Sequence, residues 1–200
     1  MAAVEVFPAT PDRWDDVVTV MGTRGDPARC WCQYFHLRGR EWSDASPASL
    51  RERLCRQVSS GAVAPGVLAY VGDGPVGWCQ VGPKAAFARL ATSRSSMPPA
   101  QQSDPDHLWS ITCFVVTVGA RRRGVARALL DGAVAHAGAH GAAGVEAYAV
   151  DTDAKAPVSS AELYHGSLAL FLDAGFVEVR RPSLSRVVVR VQPSAMKHSD

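Results

Sequence analysis

Six consecutive residues, Arg121-Arg122-Arg123-Gly124-Val125-Ala126, combine fixed positive charge with small side chains. They follow an apolar run, Ile111-Thr112-Cys113-Phe114-Val115-Val116, and open an Ala/Leu-rich helical pattern from Val125 to Ala137. Strand, tight turn and helix in that order present several unpartnered helical N–H groups to one anion, and the helix dipole adds partial positive charge there. Gly124 lets the backbone approach an anion closely, and Ala126 keeps the second turn slim. Arginine at the mouth can fork onto phosphate oxygens. Three readings stand: a solvated basic turn, a nucleic-acid contact through three arginines, and a pyrophosphate cradle. No Gly-Lys-Ser/Thr follows, which excludes a P-loop. The segment carries no G-x-G-x-x-G, and its strand lies past mid-chain rather than opening a βαβ unit.

Other chemistry-bearing clusters are weaker. Cys30-x-Cys32 with His36 offers three potential metal ligands, but no second close Cys/His pair accompanies them, and Trp31, Tyr34 and Phe35 between them point to packing. His136 and His140 stand four apart on a helical pattern without an acid beside them. No metal is expected at either place.

Composition bounds the rest. The chain has 200 residues, a natural length for one domain spanning 1–200. Apolar residues make up 47% and charged residues 20%, and the net charge of +2 argues for neither a nucleic-acid nor a membrane partner. The longest apolar runs fall short of a membrane span. The start, Met1 to Val6, lacks a basic region followed by a long apolar stretch, so export is not expected. Five cysteines, an odd count, then read as reduced thiols in the cytoplasm.

The elements that must position these residues follow from periodicity. Val4 to Phe7 is a short strand before Pro8. Thr10-Pro11-Asp12 starts a helix, with Trp14, Val17, Val18 and Met21 on one face and Gly22 at its end. Residues 22–45 read as irregular. Ser46-Pro47 starts a second helix through Leu50, Leu54 and Val58 to Gly61, with Arg51, Arg53 and Arg56 on its wet face. Val67–Val71 and Val76–Val81 form a hairpin around Gly72-Asp73-Gly74-Pro75. Lys84 to Leu90 has room for one helical turn, and 91–106 reads as a long surface loop. The longest strand runs His107–Val118, and its helix ends at Gly138 or Gly141. Val145–Val150 is a strand. The last helix holds Leu168, Leu170, Phe171 and Leu172 and starts either at Ser159 with Glu162 or at Gly166-Ser167. Phe176–Val179 and Arg186–Val191 close the order, and 194–200 reads as a frayed tail.

This order, with Arg121-x-x-Gly124-x-Ala126 at the fourth strand-to-helix junction and Ala174-Gly175-Phe176 before the sixth strand, resembles the GNAT superfamily of acyl-CoA-dependent N-acyltransferases. The resemblance implies an α/β (α+β) fold. Its mixed, mostly antiparallel seven-stranded sheet would be splayed between strands 4 and 5 and carry about four helices, with acetyl-CoA in the V. Main-chain groups of Phe114, Val115 and Val116 would pair with the pantetheine arm. Amides from Arg122 and Arg123 through Gly124, Val125 and Ala126 to Arg127 would hold the pyrophosphate, with Arg121 at the family's Gln/Arg position. The reaction implied is direct attack of a neutral amine on the thioester, with the amide of Val116 or its neighbour polarising the carbonyl.

The chain departs from the family at the proton-transfer positions. The usual thiolate acid, a tyrosine four residues before the last helix's terminal glycine, is Phe171. The glutamate that some members use on the fourth strand is Ser110, and the asparagine often seen earlier is Tyr164. Substitutes lie among Tyr164, His165, Tyr148, Glu146, Asp151 and Asp153. We assign Tyr164 as the acid and Tyr148 as a polar group of the reaction centre. Cys30 to His36, Trp42, Trp78 and the 91–106 loop are the expected acceptor wall, and they equally suit a plain core. No acidic cluster stands out to recruit a polycation, which favours a small amine acceptor. The rival expectation is an acyl-CoA-binding sensor without catalysis. A homodimer stays open, because a sheet edge and a dimer seam look alike in sequence.

Overall fold

The structure is a computed structural model and describes residues 3–91, 107–154 and 162–195. The strands are β1 (Val4–Pro8), β2 (Gly66–Val71), β3 (Gly74–Pro83), β4 (Leu108–Val116), β5 (Gly144–Val150), β6 (Val177–Ser183) and β7 (Arg186–Val191). They form one seven-stranded sheet in the order β1-β2-β3-β4-β5-β7-β6. Every neighbouring pair is antiparallel except β4 with β5. The glycine spacing from Gly72 to Gly77, which matches G-x-G-x-x-G, turns the β2–β3 hairpin between antiparallel strands, so it is no dinucleotide loop.

Helices α1 (Trp14–Met21), α2 (Gly25–Cys30), α3 (Gly39–Ser43), α4 (Pro47–Ser60), α5 (Val125–Ala139) and α6 (Leu168–Asp173) are the six α-helices of the described residues. The expected helices, about four, are α1, α4, α5 and α6; α2 and α3 are short additions in the stretch that reads as irregular. They have six and five residues and no capping side chain, too short to carry an apolar stripe. Packing of Trp31 and Trp42 onto one apolar cluster holds them instead. The first helix also begins differently. Pro11–Arg13 is a 3₁₀ turn, and the Thr10 hydroxyl accepts from the Arg13 guanidinium at 2.9 Å rather than capping. Ser46 caps α4 as its sequence demands, accepting from the Ser49 N–H at 3.1 Å. Of the two starts open for the last helix, Ser167 is the one used: its hydroxyl accepts from the Leu170 N–H at 3.3 Å. The longest strand is shorter than its pattern, since Val118–Ala120 turns into a 3₁₀ helix. Residues 92–106, Ser159 and the tail from 196 lie outside the described residues.

Each sheet face is buried differently. On one face α5 and α6 cover an aliphatic core through Val125, Leu129, Leu130, Ala133, Val134 and Phe171. Gly132 permits this approach, because a Cβ there would overlap the Val6 side chain. On the other face, α1, α2 and α4 cover β2 to β4, while Phe35, Phe87 and Leu90 cover Tyr148 and Val188 on β5 and β7. Buried polar side chains accompany these two clusters: Gln80, Ser110, Thr112 and Glu146. Thr112 Oγ1 donates to Gln80 Oε1 at 2.8 Å, so the polar groups there satisfy one another.

Candidate active site

The site begins where β4 leaves β5. Their parallel pairing runs from Leu108↔Gly144 to Ile111↔Ala147 and stops. At that point β4 carries a bulge: Val81 faces Ile111 and Gln80 faces Cys113, leaving Thr112 as the extra residue. A bulge bends its strand and raises the local twist, which turns β4 away from β5. Beyond it, Cys113 to Val116 keep β3 on one side and have no β5 partner on the other. Main-chain groups left this way require partners.

The chain then enters a turn that aims amides outward. Arg122 (φ 58°) and Gly124 (φ 80°) are both left-handed, and the first bond of α5 runs from the Ala128 N–H to the Gly124 carbonyl at 3.0 Å. The N–H groups of Val125, Ala126 and Arg127 therefore have no intrahelical acceptor. A Cβ on Gly124 would meet nothing within 4 Å, so open space fronts the helix end. Arg121, Arg122 and Arg123 are exposed around it, and Arg121 Nε reaches the Val116 carbonyl at 3.4 Å. Arg127 differs: its guanidinium holds both oxygens of Asp131 at 2.9 Å and the Asp173 carbonyl at 3.0 Å, tying α5 to the end of α6. Its amide, not its side chain, faces the mouth of the turn.

The 3₁₀ turn Glu162–His165 packs against both β4 and β5 where the two diverge, and Val150 pairs with Ser167 beyond it. A cleft of about 190 Å³ opens there, lined by Tyr34, Phe35, Arg89, Tyr148, Tyr164, His165 and Arg186 among others. Both sequence-assigned tyrosines thus lie on one cavity. Tyr148 donates to Glu146 Oε1 at 2.8 Å and sits 3.4 Å from the Ser110 hydroxyl. Glu146 is buried and held at 2.7 Å by Lys84 on one oxygen and at 2.7 Å by Arg190 on the other. Burial pushes the Tyr164 phenol up to about 12, against the lowering influence of Arg186. His165 is 8 % exposed, and burial, then the Arg186 charge, drive its imidazole down to about 3. Its Nδ1 has no hydrogen-bond partner among the described residues.

Other candidates fall elsewhere. Phe171 is fully buried against Phe114 and Phe176 in the aliphatic core. Asp151 pairs with Arg181 at 2.7 Å. Of the expected aromatic wall, Tyr34 and Phe35 reach the cleft, whereas Trp31, Cys32 and Trp78 are core residues. Cys32 Sγ lies 3.2 Å from Cys113 Sγ, and His36 bonds the Ala86 carbonyl at 2.9 Å and Gln80 at 3.1 Å. Among the described residues no three such ligands converge on a metal position. His136 is bound to the Ala64 carbonyl at 3.0 Å and His140 to the His136 carbonyl at 2.8 Å. A larger hollow of about 380 Å³, among Arg40, Glu41, Asp44, Arg53 and Arg56, has no lining residue on β4 or α5. Arg89 and Arg186 escaped the sequence reading. Their signal, a lone cation at the end of a strand or turn pattern, is shared by many surface arginines.

Among the described residues, no helix is long and apolar enough to cross a membrane. No curated protein matches the chain in sequence. Solved structures are similar in fold. The GNAT domain of S. lividans PAT is 18% identical with a TM-score of 0.54, over 94% of this chain and 90% of that one. The histone acetyltransferase HPA2 and related acetyltransferase from Corynebacterium glutamicum is 22% identical, with a TM-score of 0.52 and all of both chains covered. The PaiA N-acetyltransferase from Thermoplasma acidophilum, in complex with coenzyme A, is 10% identical with a TM-score of 0.51, over 95% of this chain and 99% of that one. The family model of the acetyltransferase (GNAT) family matches residues 30–165, which contain the parted strands, the arginine turn and Tyr164, and the chain belongs to that family.

Proposed function

We propose that this protein is an N-acetyltransferase that moves an acetyl group from acetyl-CoA to the primary amine of a small-molecule acceptor by direct attack in a ternary complex. The observation that carries the reading is the parting of β4 from β5 directly ahead of the α5 N-terminus. The residues there fit the cosubstrate. The unpaired edge from Cys113 to Val116 offers main-chain groups to an extended, amide-bearing arm, as a neighbouring strand would. The amides of Val125, Ala126 and Arg127, with Arg121, Arg122 and Arg123 around them, suit a pyrophosphate. The thioester supplies an activated acetyl group.

The chain's own groups do the rest. Tyr164, with its phenol near 12, is protonated at neutral pH and serves as the proton donor to the departing thiolate. Tyr148, oriented by Glu146, places a hydroxyl in the same cleft. His165 is neutral at neutral pH, so Nδ1 accepts a hydrogen bond from the incoming amine or from a water that carries its proton away. An amide at Val116 polarises the carbonyl under attack. Five free thiols suit a reducing cytoplasm.

A second reading, an acyl-CoA sensor without turnover, is favoured by one observation: Phe171, with no proton to give, is fully buried at the family's tyrosine position. Calorimetry with acetyl-CoA tests both; no saturable heat beside a competent control removes them together. Coenzyme A release over a panel of amines then separates enzyme from sensor.

A further inference from the structure

We infer that the acceptor carries a carboxylate close to its amine and that Arg186 binds it, which makes the substrate class amino acids and molecules built like them. The inference rests on the acetyl-transfer reading of the cleft. Arg186 opens β7 and lines the cavity beside Tyr164 and His165. Its Nη1 is buried without a hydrogen-bond partner among the described residues. A guanidinium cannot shed its charge, so a buried, unpaired N–H on it is costly until an acceptor arrives. Three other arginines show the contrast: Arg127 pairs with Asp131 at 2.9 Å, Arg181 with Asp151 at 2.7 Å and Arg190 with Glu146 at 2.7 Å. Arg186 lines the space that a ligand enters and keeps an Nη1 without a partner among the described residues.

The rest of the lining agrees in sign. No Asp or Glu is among the described residues that line the cavity, while Arg89 and Arg186 both are. Glu146, beneath Tyr148, is already neutralised by Lys84 and Arg190. An acceptor bearing only ammonium groups meets net positive charge here. One bearing a carboxylate meets a fork that matches it. His165 lines the same cavity within the influence of the Arg186 charge, and its Nδ1, also buried and unpartnered among the described residues, is an acceptor for the amine of the same molecule. Tyr34, Phe35, Leu90 and Val187 give the remaining walls an apolar character suited to a side chain, and about 190 Å³ suits a small molecule.

The test follows coenzyme A release from acetyl-CoA with the proteinogenic amino acids, each paired with its α-carboxamide. The carboxamide has the less basic amine and is the better nucleophile source in a neutral pocket, so a preference for the free acid reports the pocket. We expect kcat/KM higher for the acid by about 10- to 100-fold, the worth of one charge-assisted hydrogen-bonded pair. Arg186→Gln abolishes the preference while the KM for acetyl-CoA stays within about twofold. Arg186→Lys keeps part of the preference, since it retains the charge and loses the fork. Carboxamides turned over as well as acids, or an equal loss for both in Arg186→Gln, overturns the inference and leaves the transferase reading intact. A second arm needs no turnover: N-acetyl amino acids and N-acetyl amino acid amides are titrated calorimetrically into the coenzyme A-saturated protein. Heat from the acids alone supports the carboxylate site even where no amine is acetylated, an outcome that would defeat the transferase reading. No heat from any N-acetyl amino acid overturns the site.

Discussion

Between Phe114 and Arg127 the candidate cofactor cradle is continuous in sequence and works through main-chain groups, whereas the acceptor cleft gathers side chains from five separate stretches: Tyr34–Phe35, Arg89–Leu90, Tyr148, Tyr164–His165 and Pro182–Val188. The cradle is specified by conformation: a bulge at Thr112, left-handed Arg122 and Gly124, and a helix start. Any residue but proline supplies an amide N–H, so what matters there is which shapes the backbone takes. The cleft is specified by chemistry, and burial raises the Tyr164 phenol and lowers the His165 imidazole. Damage to the cradle should therefore appear in the affinity for acetyl-CoA, and damage to the cleft in turnover, acceptor choice and pH response.

The hardest blow to the cleft is Tyr164→Phe. Loss of a positioned general acid typically costs a hundredfold or more, so kcat should fall by about 10²-fold while the KM for acetyl-CoA stays within about twofold. Steady-state kinetics at saturating acceptor decides it. A KM that rises while kcat holds would move Tyr164 from proton donor to cofactor wall and blur the division between the two regions.

The pH response sharpens the contrast, because the cleft holds a buried imidazole and the cradle works through main-chain amides. His165 stays neutral in the fold, held near 3 by burial, while its unfolded-state value is the ordinary 6.5. Below 6.5 the unfolded chain binds a proton that the folded chain refuses, so stability is lost as pH falls from 6.5 toward 3. The slope for one such group is about 1.4 kcal/mol per pH unit. His36 and His136, also lowered by burial, add in the same direction. Urea unfolding at pH 6.5 and pH 4.5 should show wild type losing about 2 kcal/mol more than His165→Gln. Equal losses would mean that the imidazole is not kept neutral by its surroundings.

Gly124→Val attacks the cradle in the complementary way. The new side chain has open space, so the penalty is conformational: a left-handed residue with a Cβ costs about 1–2 kcal/mol. Relief of that strain swings the Val125 and Ala126 amides off their aim. The KM for acetyl-CoA should rise about tenfold, the equivalent of one lost charge-assisted hydrogen bond, with acceptor KM unchanged. Parallel titrations of both substrates separate the two effects.

The same division explains what could be read before folding. Strand, arginine turn, Gly124 and helix form one local pattern, so the cradle and the seven-strand order were legible. Ser46-Pro47 and the Gly72–Pro75 hairpin were equally local. Helices α2 and α3 were not, since neither has a cap or a stripe and both depend on where Trp31 and Trp42 pack. Arg186 illustrates the limit in the cleft. Along β7 it resembles Arg190, yet Arg190 meets Glu146 on β5 while Arg186 meets no acid among the described residues. Whether an arginine is paired is a property of the strand that ends up beside it, and β5 and β7 are about forty residues apart in the chain.

The mildest perturbation is also the most discriminating within the arginine turn. Arg122 and Arg123 are exposed and neither pairs with a carboxylate among the described residues, whereas Arg127 is tied to Asp131 and Asp173. Exposed charges act through solvent and are screened within about 8 Å at physiological salt. Arg123→Ala should therefore raise the KM for acetyl-CoA about two- to threefold at low salt, and the effect should shrink in 0.5 M sodium chloride. Arg122→Gly removes the same charge but relieves a left-handed non-glycine residue, so its loss of affinity should come with about 1 kcal/mol of added stability. Arg127→Ala should do the reverse, lowering stability by about 1 kcal/mol with no change in the salt dependence of the KM, because its side chain fastens α5 to α6 rather than facing the ligand. A salt-sensitive defect in Arg127→Ala, or a salt-insensitive one in Arg123→Ala, would reassign which arginine the phosphates meet, and with it the claim that amides rather than side chains do most of the holding at this end of the site.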